Sequence, residues 1–208
     1  DYYNQENLSS GWFEIQKNLD EYTVTKNIHS AYAEATYQFN CRWIVNLGMK
    51  YDKVDMEVDY NVNRGGSKGS NKIQKDYFLP SLNLKYNLND KHSLRLGASK
   101  TYTLPQAKEI SPYRYVGVNF NSQGNPHLKP SDNYNLDLKW DFNPSPTELI
   151  SLTAFYKLIK NPISRIEVAS AGGYLSYENI ADEATVAGVE VEIRKNLFVR
   201  PLGSAANG

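Results

Sequence analysis

Several features that mark other protein classes are missing from this chain of 208 residues. It has a single cysteine, Cys41, so an internal disulfide is excluded. Its 23 basic and 23 acidic residues cancel, which leaves no basic surface for nucleic acid. No window approaches the ~18 consecutive apolar residues of a transmembrane helix. This does not exclude a transmembrane β-barrel, because the alternating strands of a barrel are only weakly hydrophobic on average.

The residues of a catalytic or metal centre are also sparse. His29, His92 and His127 lie far apart in different sequence contexts, and one cysteine cannot supply a zinc pattern. The glycine-rich stretch 64–70 does not join a strand to a helix, so it is better interpreted as a flexible external loop than as a phosphate-binding loop. The sequence therefore predicts no enzyme activity, no metal and no cofactor.

Period-two alternation of apolar and polar residues is the main pattern, and it predicts β-strands. After Tyr51 the alternation continues to about Tyr60 with its phase shifted, which we interpret as a β-bulge. A polar loop is expected over 61–76. Inside the connection 158–184, the segments 163–168 and 173–177 are expected to pair. Seven runs of about ten residues are predicted to be strands: 28–39, 42–51, 78–88, 93–103, 132–142, 149–157 and 185–195.

The connections between these runs alternate between short and long. The short ones lie at about 40–41, 89–92 and 143–148, and the long ones at about 59–77, 104–131 and 158–184. Outer-membrane barrels have short periplasmic turns and longer external loops, and ~9–11 residues suffice for a tilted strand to cross the bilayer. The fold class predicted is therefore all-β, an antiparallel meandering transmembrane β-barrel segment of at least seven membrane strands.

Aromatic residues fall at the two ends of the runs, as interfacial girdles do. The opposite face of each run is polar, and such a face suits a wet lumen better than a packed core. The aromatics next to short turns are Tyr37, Phe39, Trp43, Tyr86, Trp140 and Phe142, and those at the far ends are Tyr51, Tyr102, Tyr134 and Tyr156. The polar face carries Glu34, Arg42, Lys50, Lys85, Arg95, Asp137, Lys139, Glu190 and Arg194.

Two motifs lie in the middle of the chain, since Phe78–Tyr86 reads FLPSLNLKY and Leu94–Pro105 reads LRLGASKTYTLP. They resemble the entry into a barrel hairpin and the LRLSYSRTYTRP segment of TonB-dependent outer-membrane receptors. Gly124–Ser131 resembles GNPDLKPE. The stretch 155–163 and the strand Gly188–Glu192 complete the series, so the resemblance runs over about 22–196.

The resemblance implies a barrel of roughly 22 strands with a plugged lumen. The parent protein would sit in the bacterial outer membrane and import a scarce ligand with energy passed on by TonB. Ferric siderophores, cobalamin, haem, glycans and peptides are the usual ligand classes. The sequences of these motifs resemble those of receptors from the Bacteroidetes. The expectation is that residues 1–208 are the C-terminal part of the barrel domain, incomplete at both ends, without plug domain or signal peptide. Its partners would be the rest of the barrel, the plug, TonB and outer-membrane lipid, with no nucleic acid.

Two alternatives remain at this stage. One is a soluble, surface-exposed β-sandwich that binds glycan or protein, because alternation and aromatic strand ends also occur in soluble sheets. The other is a general porin. For ligand contact the candidates are Tyr113, Arg114 and Tyr115, which place a cation among aromatic rings in the 104–130 loop. The alternative for these three is that they pack the loop onto the rim.

Overall fold

Strands dominate the computed structural model, which describes residues 21–62, 67–112, 114–116, 121–169 and 173–196. Three long strands come first, and the remaining strands are shorter because prolines and turn residues interrupt the alternation. The elements in chain order are β1 (Glu21–Phe39), β2 (Trp43–Val62), β3 (Ser67–Asn87), β4 (His92–Thr103), α1 (Ala107–Ile110), β5 (Arg114–Val116), β6 (Asn121–Gln123), β7 (Ser131–Phe142), β8 (Leu149–Lys160), β9 (Ile163–Val168), β10 (Tyr174–Asn179) and β11 (Glu183–Arg194).

Seven of these strands form one antiparallel sheet in the order β1-β2-β3-β4-β7-β8-β11. Short turns close its hairpins on one side. Asn40 adopts a left-handed φ of 57°, and the side-chain oxygen of Asn89 accepts hydrogen bonds from the backbone of Lys91 and His92, both at 2.9 Å. The predicted antiparallel meander of seven long strands is confirmed.

One face of this sheet is apolar and uncovered. Leu47, Leu138 and Val191 lie on it with 55, 51 and 66% of their surface exposed. A sandwich would bury such a face against a second sheet. The opposite face carries polar side chains around a shallow cavity, among them Asn46, Asn83, Arg95, Asp137, Lys139 and Thr153. The sheet is therefore a wall with a lipid-facing side and a polar, lumen-facing side.

The predicted loop over 61–76 is wrong. β2 continues to Val62 and β3 begins at Ser67, and the two strands pair without interruption from Val62↔Ser67 to Trp43↔Tyr86. β1 pairs along β2 in the same unbroken way, from Glu21↔Asn61 to Phe39↔Trp43. A segment with polar residues on both faces has the composition of a loop, but here it forms strands that are surrounded by water.

The predicted bulge after Tyr51 is also wrong, because the register with β1 and β3 does not change there. What changes is the side on which the apolar residues lie. Up to Tyr51 they occupy the lipid-facing positions of β2. Beyond it these positions hold Lys53, Asp55 and Glu57, while the apolar residues move to the other face and are buried. The residues buried there are Val54, Met56 and Val58.

This reversal of faces marks where the wall leaves the membrane, since the outer positions then meet water. On the inner side, Met56 and Val58 pack against Ile110 of α1, and Val24 and Ile73 join them. α1 and its flanking loop thus cover the inner face of the β1–β3 extension. Among the described residues, no helix has the length and apolar composition needed to cross a membrane.

A second sheet, of order β5-β6-β10-β9, joins the two remaining long connections. β9 and β10 form the hairpin expected within 158–184. The Asn179 side chain holds this hairpin to the other loop. Its amide donates to the carbonyls of Lys129 at 3.0 Å and Asn161 at 2.9 Å, and its oxygen accepts from the Lys129 amide at 2.9 Å. We call α1, β5, β6, β9, β10 and their linking loops the external body.

Candidate functional site

Aromatic rings mark the external end of the lipid-facing part of the sheet. Tyr51 and Phe78 lie side by side on β2 and β3 with ring centroids 5.2 Å apart, and the next outer positions on these strands are the charged pair Lys53↔Asp76. At the other end Trp43 stacks on Tyr86 at 4.2 Å. From Trp43 to Tyr51 the strand has the ~9 residues that a tilted strand needs to cross the bilayer.

Tyr102, predicted as a girdle residue, has a different position. The β3–β4 ladder ends at Ser81↔Ser99, and beyond this pair, toward the external side, the two strands are no longer paired. The Tyr102 ring stacks on Tyr77 of β3 at 3.9 Å, and its hydroxyl donates a hydrogen bond to Asp52 at 2.9 Å. Side chains therefore replace backbone pairing in this gap.

Asp52 is the most buried charged group of this cluster, with 1% of its surface exposed. It accepts a hydrogen bond from the Lys50 ammonium at 2.9 Å. Burial raises its pKa, but hydrogen bonds from Lys50, Ser30 and Tyr102 outweigh burial and hold the pKa of Asp52 below its usual value. Burial, together with the hydrogen bond to Asp52, raises the pKa of Tyr102 to about 12. The cluster is an ionised carboxylate held by neutral tyrosine and cationic lysine.

A cavity of about 630 Å³ opens beside this cluster, on the polar side of the sheet. We call it the mouth cavity, since it lies where the polar face of the wall meets the external extension. Its chemistry is that of a polar binding site: ammonium groups, hydroxyls and one aromatic ring can receive an anion or a polyhydroxylated molecule. The residues that supply these groups are Lys26, Lys50, Lys100, Thr101, Tyr102 and Thr103, and the carboxylate of Asp52 also belongs to the lining.

Nearer the short turns on the polar face, charged side chains from β4, β7 and β11 form a continuous row. Asp141 is buried and is contacted by Arg95 at 3.3 Å and by Lys139 at 3.6 Å. Lys139 also lies 4.0 Å from Glu192, which pairs with Arg194 at 3.0 Å. A row of this kind needs water or a polar partner in front of it, which the lumen of a barrel provides.

Of the three candidate residues from the sequence, Arg114 and Tyr115 lie on the external body, and Tyr113 is outside the described residues. Arg114 is on β5 with its guanidinium 5.9 Å from the ring of Tyr174, and Tyr115 is 61% exposed. Neither Arg114 nor Tyr115 lines the mouth cavity. Within the described part of the chain, no group of three or more His, Cys, Asp or Glu is placed to hold a metal ion.

Comparison with known families decides what this wall belongs to. Residues 1–207 match the family model described as TonB dependent receptor-like, beta-barrel. The chain belongs to this TonB-dependent receptor β-barrel family. Members are receptors and transporters of the bacterial outer membrane, so the polar face of the sheet lines a receptor barrel and its apolar face meets outer-membrane lipid.

Curated relatives agree with this assignment. The iron-regulated outer membrane virulence proteins of two Vibrio cholerae serotype O1 strains are each 26% identical over 168 residues. The match covers 76% of this chain and 25% of each relative. The chain thus spans about a quarter of the length of these receptors.

Solved structures share the fold at low identity. The hemophore receptor HasR of Serratia marcescens, in complex with its hemophore HasA and heme, gives a TM-score of 0.63 at 14% identity over 81% of this chain and 31% of that one. The copper transporter OprC gives 0.62 at 14% identity, over 81% of this chain and 26% of that one. The ferric-catecholate import receptor Fiu of E. coli K12 gives a TM-score of 0.60 at 16% identity, over 85% of this chain and 26% of that one.

Sequence reasoning missed the mouth cavity of this receptor barrel. The pattern that marks it is the loss of apolar residues from the outer face after Tyr51, together with the buried Asp52 that follows. The contact between Tyr77 and Tyr102 joins strands whose backbone pairing has ended, so no alternation rule predicts it. Phe78, 62% exposed beside Tyr51, is the girdle residue that was missed on β3.

Proposed function

We propose that this chain is the barrel portion of a TonB-dependent receptor that imports a scarce ligand, namely a siderophore, vitamin, glycan or peptide, across the outer membrane. The chain supplies wall, lumen lining and external binding surface, and it performs no catalysis. The name of the Vibrio cholerae relatives links them to iron regulation, which favours an iron-bearing ligand.

The observation that carries this proposal is the position of the mouth cavity. It lies on the lumen side of the wall, at the level where the strands leave the membrane and α1 covers the extension. A ligand bound there would be at the entrance to the lumen, outside the hydrocarbon. The three lysines Lys26, Lys50 and Lys100 favour a ligand that carries negative charge.

The placement of the chain within its receptor is part of the same proposal. The order of the motifs over 78–192 supports the C-terminal part of the barrel, and their style supports an origin in the Bacteroidetes. The row from Arg95 to Arg194 supports a plug as the neighbour inside the lumen, because a polar plug would satisfy its charges. TonB and outer-membrane lipid are the further partners, as the family implies.

The soluble β-sandwich has less support. A sandwich needs two apolar faces packed together, and the second sheet here joins loops at one end of the wall instead of covering it. Arg114 and Tyr115, with Tyr113, remain candidates for a second ligand contact on the external body, because Tyr115 is exposed there.

Growth of cells that depend on one nutrient source tests the proposal. A strain lacking the intact receptor is supplied in turn with a ferric catecholate chelate, haem, cobalamin or an oligosaccharide as its only source of that nutrient. We expect growth on one of them to require the receptor and TonB. Lys50→Gln should weaken uptake of that ligand, and Lys72→Gln, on the outer face of the extension, should not. Unchanged growth on all four without the receptor would contradict import of these ligand classes.

A further inference from the structure

The external parts of β1, β2 and β3 form a unit that is separate from the strand that follows. The β3–β4 ladder ends at Ser81↔Ser99, and the next residue of β3 toward the external side is Pro80, which has no N–H group to donate. β4 instead goes on pairing with β7 as far as Thr103↔Ser131. We call residues 21–30, 52–62 and 67–77 the arm, because they pair with one another and, among the described residues, with no other strand.

The arm overlaps the outside of β4 and β7 instead of continuing the wall. Side chains alternate between the two sides of a strand, so Tyr102 is on the outer side of β4, whereas Tyr77, opposite Asp52 in the β2–β3 ladder, is on the inner side of β3. Nevertheless the two tyrosine rings stack, with centroids 3.9 Å apart. By the same alternation Lys75 is on the inner side of β3 and Asp132 on the outer side of β7, and they form an ion pair at 3.0 Å. The inner side of the arm therefore lies over the outer sides of β4 and β7.

Side chains hold the interface between the arm and the rest of the chain, which we call the seam. The Tyr102 hydroxyl donates a hydrogen bond to Asp52 at 2.9 Å, and the Asn71 amide donates one to the carbonyl of Pro126. The apolar contact of the arm with α1 adds to them. Within the described residues, no hydrogen bond between two backbone groups crosses the seam. Because the ladders inside the arm are unbroken, the arm can move as one unit without losing a backbone hydrogen bond.

The closed seam buries polar atoms that it does not satisfy. Asp52 and Tyr77 each have 1% of their surface exposed, and neither Asp52 Oδ1 nor the Tyr77 hydroxyl has a hydrogen-bond partner in the described part of the chain. Asp132 Oδ1 is a third such atom, which the Lys100 ammonium approaches only to 3.6 Å. A buried oxygen without a partner destabilises the closed state, and opening of the seam would hydrate all three. Stacking and ion pairing thus close an interface that its unpaired oxygens weaken.

We propose that the arm is hinged and swings outward from β4 and β7. The hinge is at Pro80, where β3 loses its partner β4. Since β3 and β4 both line the mouth cavity, opening of the arm gives that cavity a side entrance between the two strands. The inference rests on the packing of the strands and does not depend on the ligand that is imported. The latch of the arm consists of the side chains that meet across the seam, namely Tyr77, Tyr102, Asp52, Lys75 and Asp132.

Pulsed electron paramagnetic resonance of the intact receptor in lipid vesicles tests the hinge. In a Cys41→Ser background, spin labels at Asp59→Cys on the arm and Glu178→Cys on β10 report the distance from the arm to the external body, and both positions are exposed. We expect one distance when the seam is native. The latch variant Lys75→Gln/Tyr102→Phe removes an ion pair and a hydrogen bond from the seam, so a second, longer distance should appear. The ratio of open to closed arm should rise about tenfold for each interaction lost, or about a hundredfold in total.

Lys72→Gln is the matched control, because it removes the ion pair with Asp55 at 3.7 Å, and both of these residues belong to the arm. It should leave the distance from the arm to the external body unchanged. A second label pair, Glu21→Cys with Gln74→Cys, lies wholly within the arm and should keep one distance in every variant. The same single distance in the native seam and the latch variant would overturn the proposal. A change of distance within the arm would overturn it too, since it would show local unfolding instead of a hinge.

Discussion

Leu138 offers a quantitative test of which face meets lipid. It lies on β7 midway between the girdle residues Tyr134 and Phe142, and its neighbours across the ladders are Leu96 and Ala154. The side chain is 51% exposed on the uncovered face. An arginine at this point would be near the bilayer midplane, where its charge costs about 2–4 kcal/mol of barrel stability.

The matched substitution is Asn135→Arg on the same strand. Asn135 is on the polar face, where its amide makes only long contacts of 3.4 Å to Ser99 and 3.5 Å to Thr101. An arginine there projects into the wet lumen and should cost well under about 1 kcal/mol, as most substitutions away from packed sites do. The predicted difference between the two variants corresponds to roughly a tenfold to thousandfold change in the folding equilibrium.

Urea unfolding of the intact receptor in lipid vesicles, followed by heat-modifiable gel mobility, measures this difference. Leu138→Arg should unfold at clearly lower urea and accumulate poorly in the outer membrane, while Asn135→Arg should match the wild type. Equal destabilisation by the two variants, or a larger effect of Asn135→Arg, would refute the assignment of the faces.

The remaining predictions concern sidedness and the external body. In a Cys41→Ser background, needed because Cys41 is exposed in a short turn, Tyr115→Cys should react with an impermeant thiol reagent on intact cells and Asn89→Cys only after the outer membrane is opened. The reverse labelling would invert the topology. Asn179→Ala removes two hydrogen bonds between the two long loops and a third within its own loop, so hydrogen exchange of the 124–131 backbone should accelerate, at a cost of about 1–3 kcal/mol for the polar groups left unpaired. Unchanged exchange there would show that Asn179 does not hold the loops together.

The wall could be predicted from sequence because one physical rule governs it. From Trp43 to Tyr51, lipid on one side and water on the other impose strict alternation, and the same holds for Tyr134–Phe142. The rule stops at Tyr51, since water then surrounds the outer side. The residues beyond, such as Lys53 and Asp55, therefore resembled a bulge and a loop although the pairing continues without change.

The external parts could not be predicted because distant segments determine them. Ile110 is buried by Met56 and Val58, more than fifty positions earlier, and Asn179 reaches back to Lys129. Contacts of this kind depend on the packing of loops whose own sequences have no period. Packing also constrains the motif Gly124–Ser131, since a side chain at Gly124 would collide with the carbonyl of Ser111.

The central claim is that the wall ends at Tyr51 and that the two faces of β2 then exchange environments. Spin labels placed one at a time from Trp43 to Val58 in the intact receptor, in lipid vesicles, test it through their accessibility to oxygen and to a water-soluble nickel reagent. We predict that the odd positions up to Tyr51 favour oxygen, as lipid exposure requires. Beyond it, Lys53, Asp55 and Glu57 should favour the nickel reagent, and Val54, Met56 and Val58 should be shielded from both. Oxygen preference that continues at odd positions to Glu57, or no alternation below Tyr51, would contradict the account.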